Sequence, residues 1–147
     1  MDSTEELTMN RKATSVLEHI IQASDVAHTM QHWHIYCKWN QRLFTEMYVA
    51  FKSGRAAKDP SVGWYEGEIW FFDNYIIPLA EKLEECGVFG VASDEYLSYA
   101  RENRKEWEEK GREVCEEMIA EAHKANFEEE EKTAITSSKP RCRGTIG

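Results

Sequence analysis

Residues 64 to 87 read WYEGEIWFFDNYIIPLAEKLEECG. No strand-like alternation of apolar and polar positions runs through them. The spacing predicts a helix from near Trp64 to Glu85 or Cys86, with Gly87 where a left-handed C-terminal cap belongs. Pro78 lies inside that helix, removes one backbone hydrogen bond and is expected to kink it. The run from Glu68 to Leu79 is apolar on nearly all sides, the mark of a helix buried within a larger body.

The flanking sequence reads the same way. Upstream, a helix is expected from about Ala13 to Ala27, with Val16, Leu17, Ile20, Ile21 and Ala23 as its apolar stripe. Thr29 to His32 reads as a break, with Thr29 an adequate N-cap for a long helix from about Gln31 to Lys52. Tyr36, Trp39 or Asn40, Leu43, Phe44, Met47 and Phe51 recur there at helical spacing. The polar loop SGRAAKDPSVG, residues 53–63, follows. Downstream, Ser93 is the expected N-cap of a last helix whose first turn carries Asp94 and Glu95, where the helix dipole favours carboxylates. Its stripe is thin: Leu97, Ala100, Trp107, Val114 and Met118. That helix is expected to leave the body after Trp107 and to fray in its far half. Only three prolines occur in the chain, and no repeat is visible. The fold class is therefore all-α, a single domain. Residues 1–12 read as a flexible leader, 111–132 as an acidic helical extension and 133–147 as a disordered tail.

The 147 residues carry 18 Lys plus Arg against 27 Asp plus Glu, a net charge of −9. That balance argues against a nucleic-acid partner, which needs a positive surface, and against docking on anionic lipid. No apolar run approaches the ~20 residues that span a membrane. The polar, acidic start MDSTEELTMNRK is not a secretory signal, so a cytoplasmic location is expected. Cys37, Cys86, Cys115 and Cys142 fit no zinc or redox spacing and read as free thiols.

Two features could carry chemistry. Asp25, His28, His32 and His34 lie close in sequence, and Asp25, His28 and His32 would share a face of a continuous helix. Imidazole and carboxylate suit zinc and related metals. The same spacing also fits surface histidines around a helix junction. No G-x-S-x-G turn and no phosphate-cradling glycine loop is present.

The ordered motifs say more. The segment Ala23-Ser24-Asp25-Val26-Ala27-His28 is followed by Tyr36-Cys37-Lys38-Trp39, then by Glu68-Ile69-Trp70-Phe71-Phe72-Asp73 with Pro78-Leu79, then by Asn103-Arg104-Lys105-Glu106-Trp107. In order and spacing these resemble the back part of the class I 3',5'-cyclic-nucleotide phosphodiesterase catalytic domain. There a helix ends in (C/A)-x-D-(I/L/V)-(S/A)-(H/N), an aromatic-x-x-Trp helix follows, and Q-(V/I)-G-F-(I/L)-D-x-x-x-x-P-L precedes an N-R-x-x-W-like segment. The resemblance covers roughly residues 14 to 110. It implies that residues 13–110 form part of an all-helical bundle of that domain.

The resemblance also implies roles. Asp25 matches the second metal-ligating aspartate of a centre holding zinc and magnesium or manganese. His28 lies where the family has a residue near the nucleotide. Trp39 and Leu43 match pocket walls, Phe71 the aromatic that stacks on the purine, and Glu68 the glutamine that hydrogen-bonds the purine edge. The family's H-N-x-x-H and H-D-x-x-H motifs do not occur in this sequence. No catalytic residue is therefore assigned, and Asp25 alone is not expected to hold a metal stably. Cyclic nucleotide is the expected partner only once the domain is completed. Self-association through an exposed apolar face is expected of the chain by itself. A carboxylate only accepts hydrogen bonds where an amide both donates and accepts, so Glu68 departs from the family pattern. Trp70 beside it replaces a small glycine. A non-catalytic helical interaction module, with its acidic helix as contact surface, is the alternative reading.

Overall fold

The computed structural model describes residues 3–87 and 89–137. Its regular structure is helical throughout, and no strand occurs among the described residues. Helix α1 spans Ser3–Asp25, a 3₁₀ turn follows at Ala27–Met30, and α2 spans Trp33–Lys52. The loop of residues 53–63 leads to α3, Trp64–Phe71, a π turn, Phe72–Ile76, and α4, Ile77–Cys86. Helix α5, Ala92–Ser137, has 46 residues and is about 69 Å long at 1.5 Å per residue. It packs against α2, α3, α4 and the 3₁₀ turn, while α1 packs against α4. None of the helices described is long and apolar enough to cross a membrane.

The core is aromatic. Tyr36, Phe44, Phe72 and Trp107 are fully buried, with Ile76, Ala80, Leu83 and Ala100 around them. Tyr36 sits edge-on to Phe72 at 5.3 Å and to Trp107 at 5.8 Å between ring centroids, and Phe44 meets Trp64 edge-on at 5.2 Å. These are the offset and T-shaped arrangements that the ring quadrupoles favour.

The expected third helix is present, but its irregularity falls before the proline. Over Phe72–Ile76 the ladder widens, and the Ile77 N–H bonds the Phe72 carbonyl five residues back. That widening sets Pro78 in the first turn of α4, where its missing N–H costs no ladder bond. The Asn74 amide donates to the Trp70 carbonyl at 2.9 Å beside the widened turn. Gly87 ends α4 with φ 63°, the left-handed cap expected from sequence.

Five features differ from expectation. Residues 3–12, read as a leader, are the opening turns of α1, with residues 4–15 exposed. Good helix formers and Glu5 and Glu6 at the dipole's positive end extend the helix without a packing partner. Thr29 does not cap α2. It lies inside the 3₁₀ turn with its hydroxyl donating to the Val26 carbonyl at 2.6 Å, and His32 occupies the cap position without a side-chain bond to the helix end. Helix α5 begins at Ala92, so Ser93 falls inside it, its buried hydroxyl 3.5 Å from the Leu83 carbonyl. Nor does α5 leave the body after Trp107: Cys115, Met118 and Ala122 are buried, and Tyr48 packs against His123 at 5.6 Å. Gly111, Cys115 and Ala122 continue the stripe as small residues, which let α5 lie close to its neighbours. The helix runs on through residues 133–137 of the expected tail, while 138–147 and with them Cys142 lie outside the described residues.

Candidate functional site

Tyr36 and Asn40 are one turn apart on the inner face of α2, and Glu68 faces them from α3. The Tyr36 hydroxyl donates to Glu68 Oε2 at 2.6 Å, and Asn40 Nδ2 donates to the same oxygen at 2.8 Å. The Trp64 indole N–H in turn donates to Asn40 Oδ1 at 3.1 Å. Burial pushes the Glu68 carboxyl above its usual range, against the opposing pull of the Tyr36 and Asn40 hydrogen bonds. The Tyr36 hydroxyl is pushed well above its usual range, by burial first and then by the adjacent Glu68 charge. Beside this network is a cleft of about 180 Å³, whose walls include Met47, Pro60, Val62, Trp64, Gly67 and Glu68.

Of the other site residues expected from sequence, His28 meets this network, at Tyr36. Trp39 and Leu43 were expected in an apolar stripe with Met47. They are 46%, 42% and 40% exposed, so this row borders the core and does not build it. The buried row of α2 is instead Tyr36, Asn40, Phe44 and Tyr48. Arg42 lies over the Trp39 ring at 4.8 Å, a partial cover by a cation on a π face. Phe71, one turn from Glu68, stacks on Tyr75 at 5.1 Å. Trp70 between them is 63% exposed. Thus Glu68 and Phe71 share a face of α3, and the α2 row passes the same cleft at Met47.

Asp25, the last residue of α1, is exposed. His28 turns inward, its ring parallel to that of Tyr36 at 6.2 Å, and burial lowers its pKa. His32 turns to α5, with Nε2 3.1 Å from the Tyr99 hydroxyl, and His34 stacks on His32 at 5.9 Å. The 3₁₀ turn breaks the continuous face that spacing alone would give Asp25, His28 and His32. Among the described residues no group of three His, Cys, Asp or Glu side chains is placed to hold a metal ion. Zinc takes three or four protein ligands. The described residues therefore bring no such ligand set together, and Asp25 stands as a single candidate ligand.

Cys37, Cys86 and Cys115 are free. Burial raises the Cys37 thiol to about 11 and the Cys115 thiol to about 12, which makes both inert as nucleophiles near neutral pH.

The segment around Asn103 fastens the site. Asn103 Nδ2 donates to the Thr29 carbonyl at 2.9 Å and to the Gln31 carbonyl at 2.7 Å, closing the turn behind Asp25. Arg104 pairs with Asp73 of the π turn. Trp107 Nε1 donates to the Tyr65 carbonyl at 3.1 Å. Sequence reading passed over the roles of Asn40, Tyr36 and Trp64. The available signal was Asn40 itself, a polar residue one turn from Tyr36 and one turn from Phe44 in an otherwise apolar row.

Set against known families, curated proteins and solved structures, the chain matches no family model, no curated protein and no solved structure.

Proposed function

We propose that this chain is the back part of a class I 3',5'-cyclic-nucleotide phosphodiesterase catalytic domain, non-catalytic by itself. The observation that carries this reading is the convergence of its separated motif segments. Asn103, Arg104 and Trp107 hold, in turn, the carbonyls behind Asp25, the carboxylate of Asp73 and the backbone of α3 beside Glu68. Two pairs of the segments that matched the family pattern are bonded directly, Tyr36 to Glu68 and Arg104 to Asp73, and Asn103 and Trp107 bond backbone carbonyls next to two of them.

In this reading Asp25 is the ligand this chain supplies to a zinc and magnesium or manganese centre whose other ligands lie in the front part of the domain. His28, Trp39, Leu43, Glu68 and Phe71 belong to the nucleotide side of the site. Because the residues present do not assemble a metal centre, no hydrolytic step is assigned to this chain. Phe72, Ile76 and Leu79 of the Glu68–Leu79 run, expected to expose an apolar face, are buried, and the apolar side chains left for the front part to cover, or for self-association of the chain alone, include Trp39, Leu43, Met47 and Trp70. A cytoplasmic place in cyclic-nucleotide signalling belongs to the same reading.

One observation favours the alternative of a non-catalytic interaction module. The end of α5 beyond residue 123 carries Glu128 to Glu131, all exposed, with Phe127 66% exposed among them.

The test is zinc content. The chain alone is expected to retain no zinc after dialysis. Joined behind the front part of a related phosphodiesterase it is expected to retain zinc, and Asp25→Asn is expected to lose it. A joined protein whose zinc content ignores Asp25 would overturn the reading.

A further inference from the structure

A second cleft, of about 200 Å³, lies where α1, the 3₁₀ turn, α4 and the start of α5 meet. Buried Ala23, Met30 and Leu83 face it from three of these elements, and Ser24 and Ala27 stand at its exposed edge. Ala23, Ser24 and Ala27 are small, and their short side chains leave the space unfilled. None of Asp25, His28, Glu68 and Phe71 lines it. The cleft is therefore separate from the site described above and does not depend on the function proposed there.

The chemistry of the walls narrows what fits. Among the described residues no charged side chain lines the cleft, in a chain whose net charge is −9. A charged ligand would lose its hydration there and meet no counter-charge. Water is poorly held as well, because an ordered water needs two to four polar partners and these walls are mostly apolar. The Ser24 hydroxyl is already committed to the Ile20 carbonyl at 2.8 Å. Two polar side chains keep their bonding capacity. Tyr96 lines the wall, its ring met edge-on by Phe89 at 5.5 Å, and its hydroxyl has no hydrogen-bond partner among the described residues. The Gln31 side-chain amide has none either, since Asn103 bonds only the backbone carbonyl of that residue.

We propose that this cleft binds a neutral molecule of one ring bearing a hydroxyl group, with the ring against Met30 and Leu83 and the hydroxyl bonded to Tyr96. Size sets the ring. An apolar cavity of about 150 Å³ takes up benzene, whereas drug-sized ligands occupy about 300 Å³ or more. Entry of the ring displaces loosely held water, which favours binding. The hydroxyl sets the orientation. A tyrosine hydroxyl both donates and accepts, so it pairs with a ligand hydroxyl in either sense. Phe89 already holds the Tyr96 ring, so little side-chain freedom is lost when that bond forms.

The experiment is an NMR titration of the full chain with phenol, toluene and benzoate, read at the methyl groups of Ile20, Met30 and Leu83. Phenol and toluene at millimolar concentration are expected to shift these methyls, and benzoate, the anion on the same ring, is expected to leave them unmoved. Tyr96→Phe is expected to weaken phenol about 3–10-fold and to leave toluene unchanged. Ser24→Leu, at an exposed helical position, is expected to fill the cleft and abolish both shifts. No shift with phenol or toluene, benzoate bound as tightly as phenol, a Tyr96→Phe chain that treats phenol and toluene alike, or a Ser24→Leu chain that binds like the parent would overturn the proposal. Spectra of the free chain at two protein concentrations test the rival occupant. Methyl signals that move on dilution would assign the cleft to a second copy of the chain and overturn it as well.

Discussion

Arg104 grips Asp73 through both carboxylate oxygens, Nε to Oδ1 at 2.8 Å and Nη2 to Oδ2 at 3.1 Å. The pair joins α5 to the π turn, and Arg104 Nη1 reaches Glu108 at 2.8 Å as well. It is a planar fork on a planar carboxylate, the geometry in which surface ion pairs hold best. It also fixes the one stretch of the α3–α4 rod whose own ladder is irregular.

The hydrogen bond from Arg104 holds the Asp73 carboxyl below its usual 3.8. A carboxyl depressed in the folded state stabilises above its unfolded pKa, and loses that contribution as pH falls through the folded value. Asp73 is 44% exposed, so solvent screens the pair. Asp73→Asn is expected to cost about 0.5–1 kcal/mol at pH 7. The difference from the parent should shrink as pH drops below about 3.8, measured by denaturant unfolding at a series of pH values. A constant difference down to pH 2 would show that the pair's charge is not the cause.

Gly111 sits in the middle of α5, where alanine would ordinarily be favoured by about 1 kcal/mol. Here a Cβ would fall 2.8 Å from Cδ2 and Cε2 of Trp107. That indole is fully buried and bonded to Tyr65, so it cannot swing aside. Gly111→Ala is expected to destabilise by about 1–3 kcal/mol. A raised melting temperature would contradict the close approach of Trp107.

Asn103 is buried, and its amide serves two carbonyls of the turn between α1 and α2. Asn103→Leu keeps the volume and removes both bonds, at an expected cost of about 1–3 kcal/mol. Hydrogen exchange should quicken across residues 27–36 more than elsewhere. Uniform quickening over all helices would assign Asn103 a packing role only.

The row Trp39, Leu43 and Met47 together with Trp70 should make the chain self-associate and bind a hydrophobic dye. Replacing Trp39 and Leu43 by glutamine is expected to lower both, read by sedimentation and by dye fluorescence. A clean monomer at high concentration that binds no dye would remove this face from the account.

The helices were legible because their stripes and breakers are long-range patterns: Gly87 stops α4, and residues 53–63 hold no helix. The structure departs from the sequence pattern where partners distant in sequence decide. Thr29 looks like a cap, but Asn103, 74 residues on, closes the turn instead. Trp39 and Tyr36 share one spacing argument, and only the position of α3 shows which of them is buried. The reach of α5 is faint in the sequence because Gly111, Cys115 and Ala122 add little hydrophobicity while allowing close packing. At the site, Glu68 was visible as an acceptor where an amide was expected. That its Oε2 takes both internal donors depends on Tyr36 and on Asn40, whose pairing with Trp64 no local pattern announces.

The central claim is that this chain supplies one side of a cyclic-nucleotide phosphodiesterase site, and hydrolysis by the completed domain tests it most directly. The measurement is the rate at which cyclic GMP is opened to the 5'-nucleotide by the chain joined to the front part of a related enzyme, with and without a chelator. Hydrolysis that the chelator stops, and that Asp25→Asn reduces by orders of magnitude in a folded protein, is the expected result. Hydrolysis indifferent to Asp25, or chelator-sensitive turnover by the 147-residue chain alone, would contradict it.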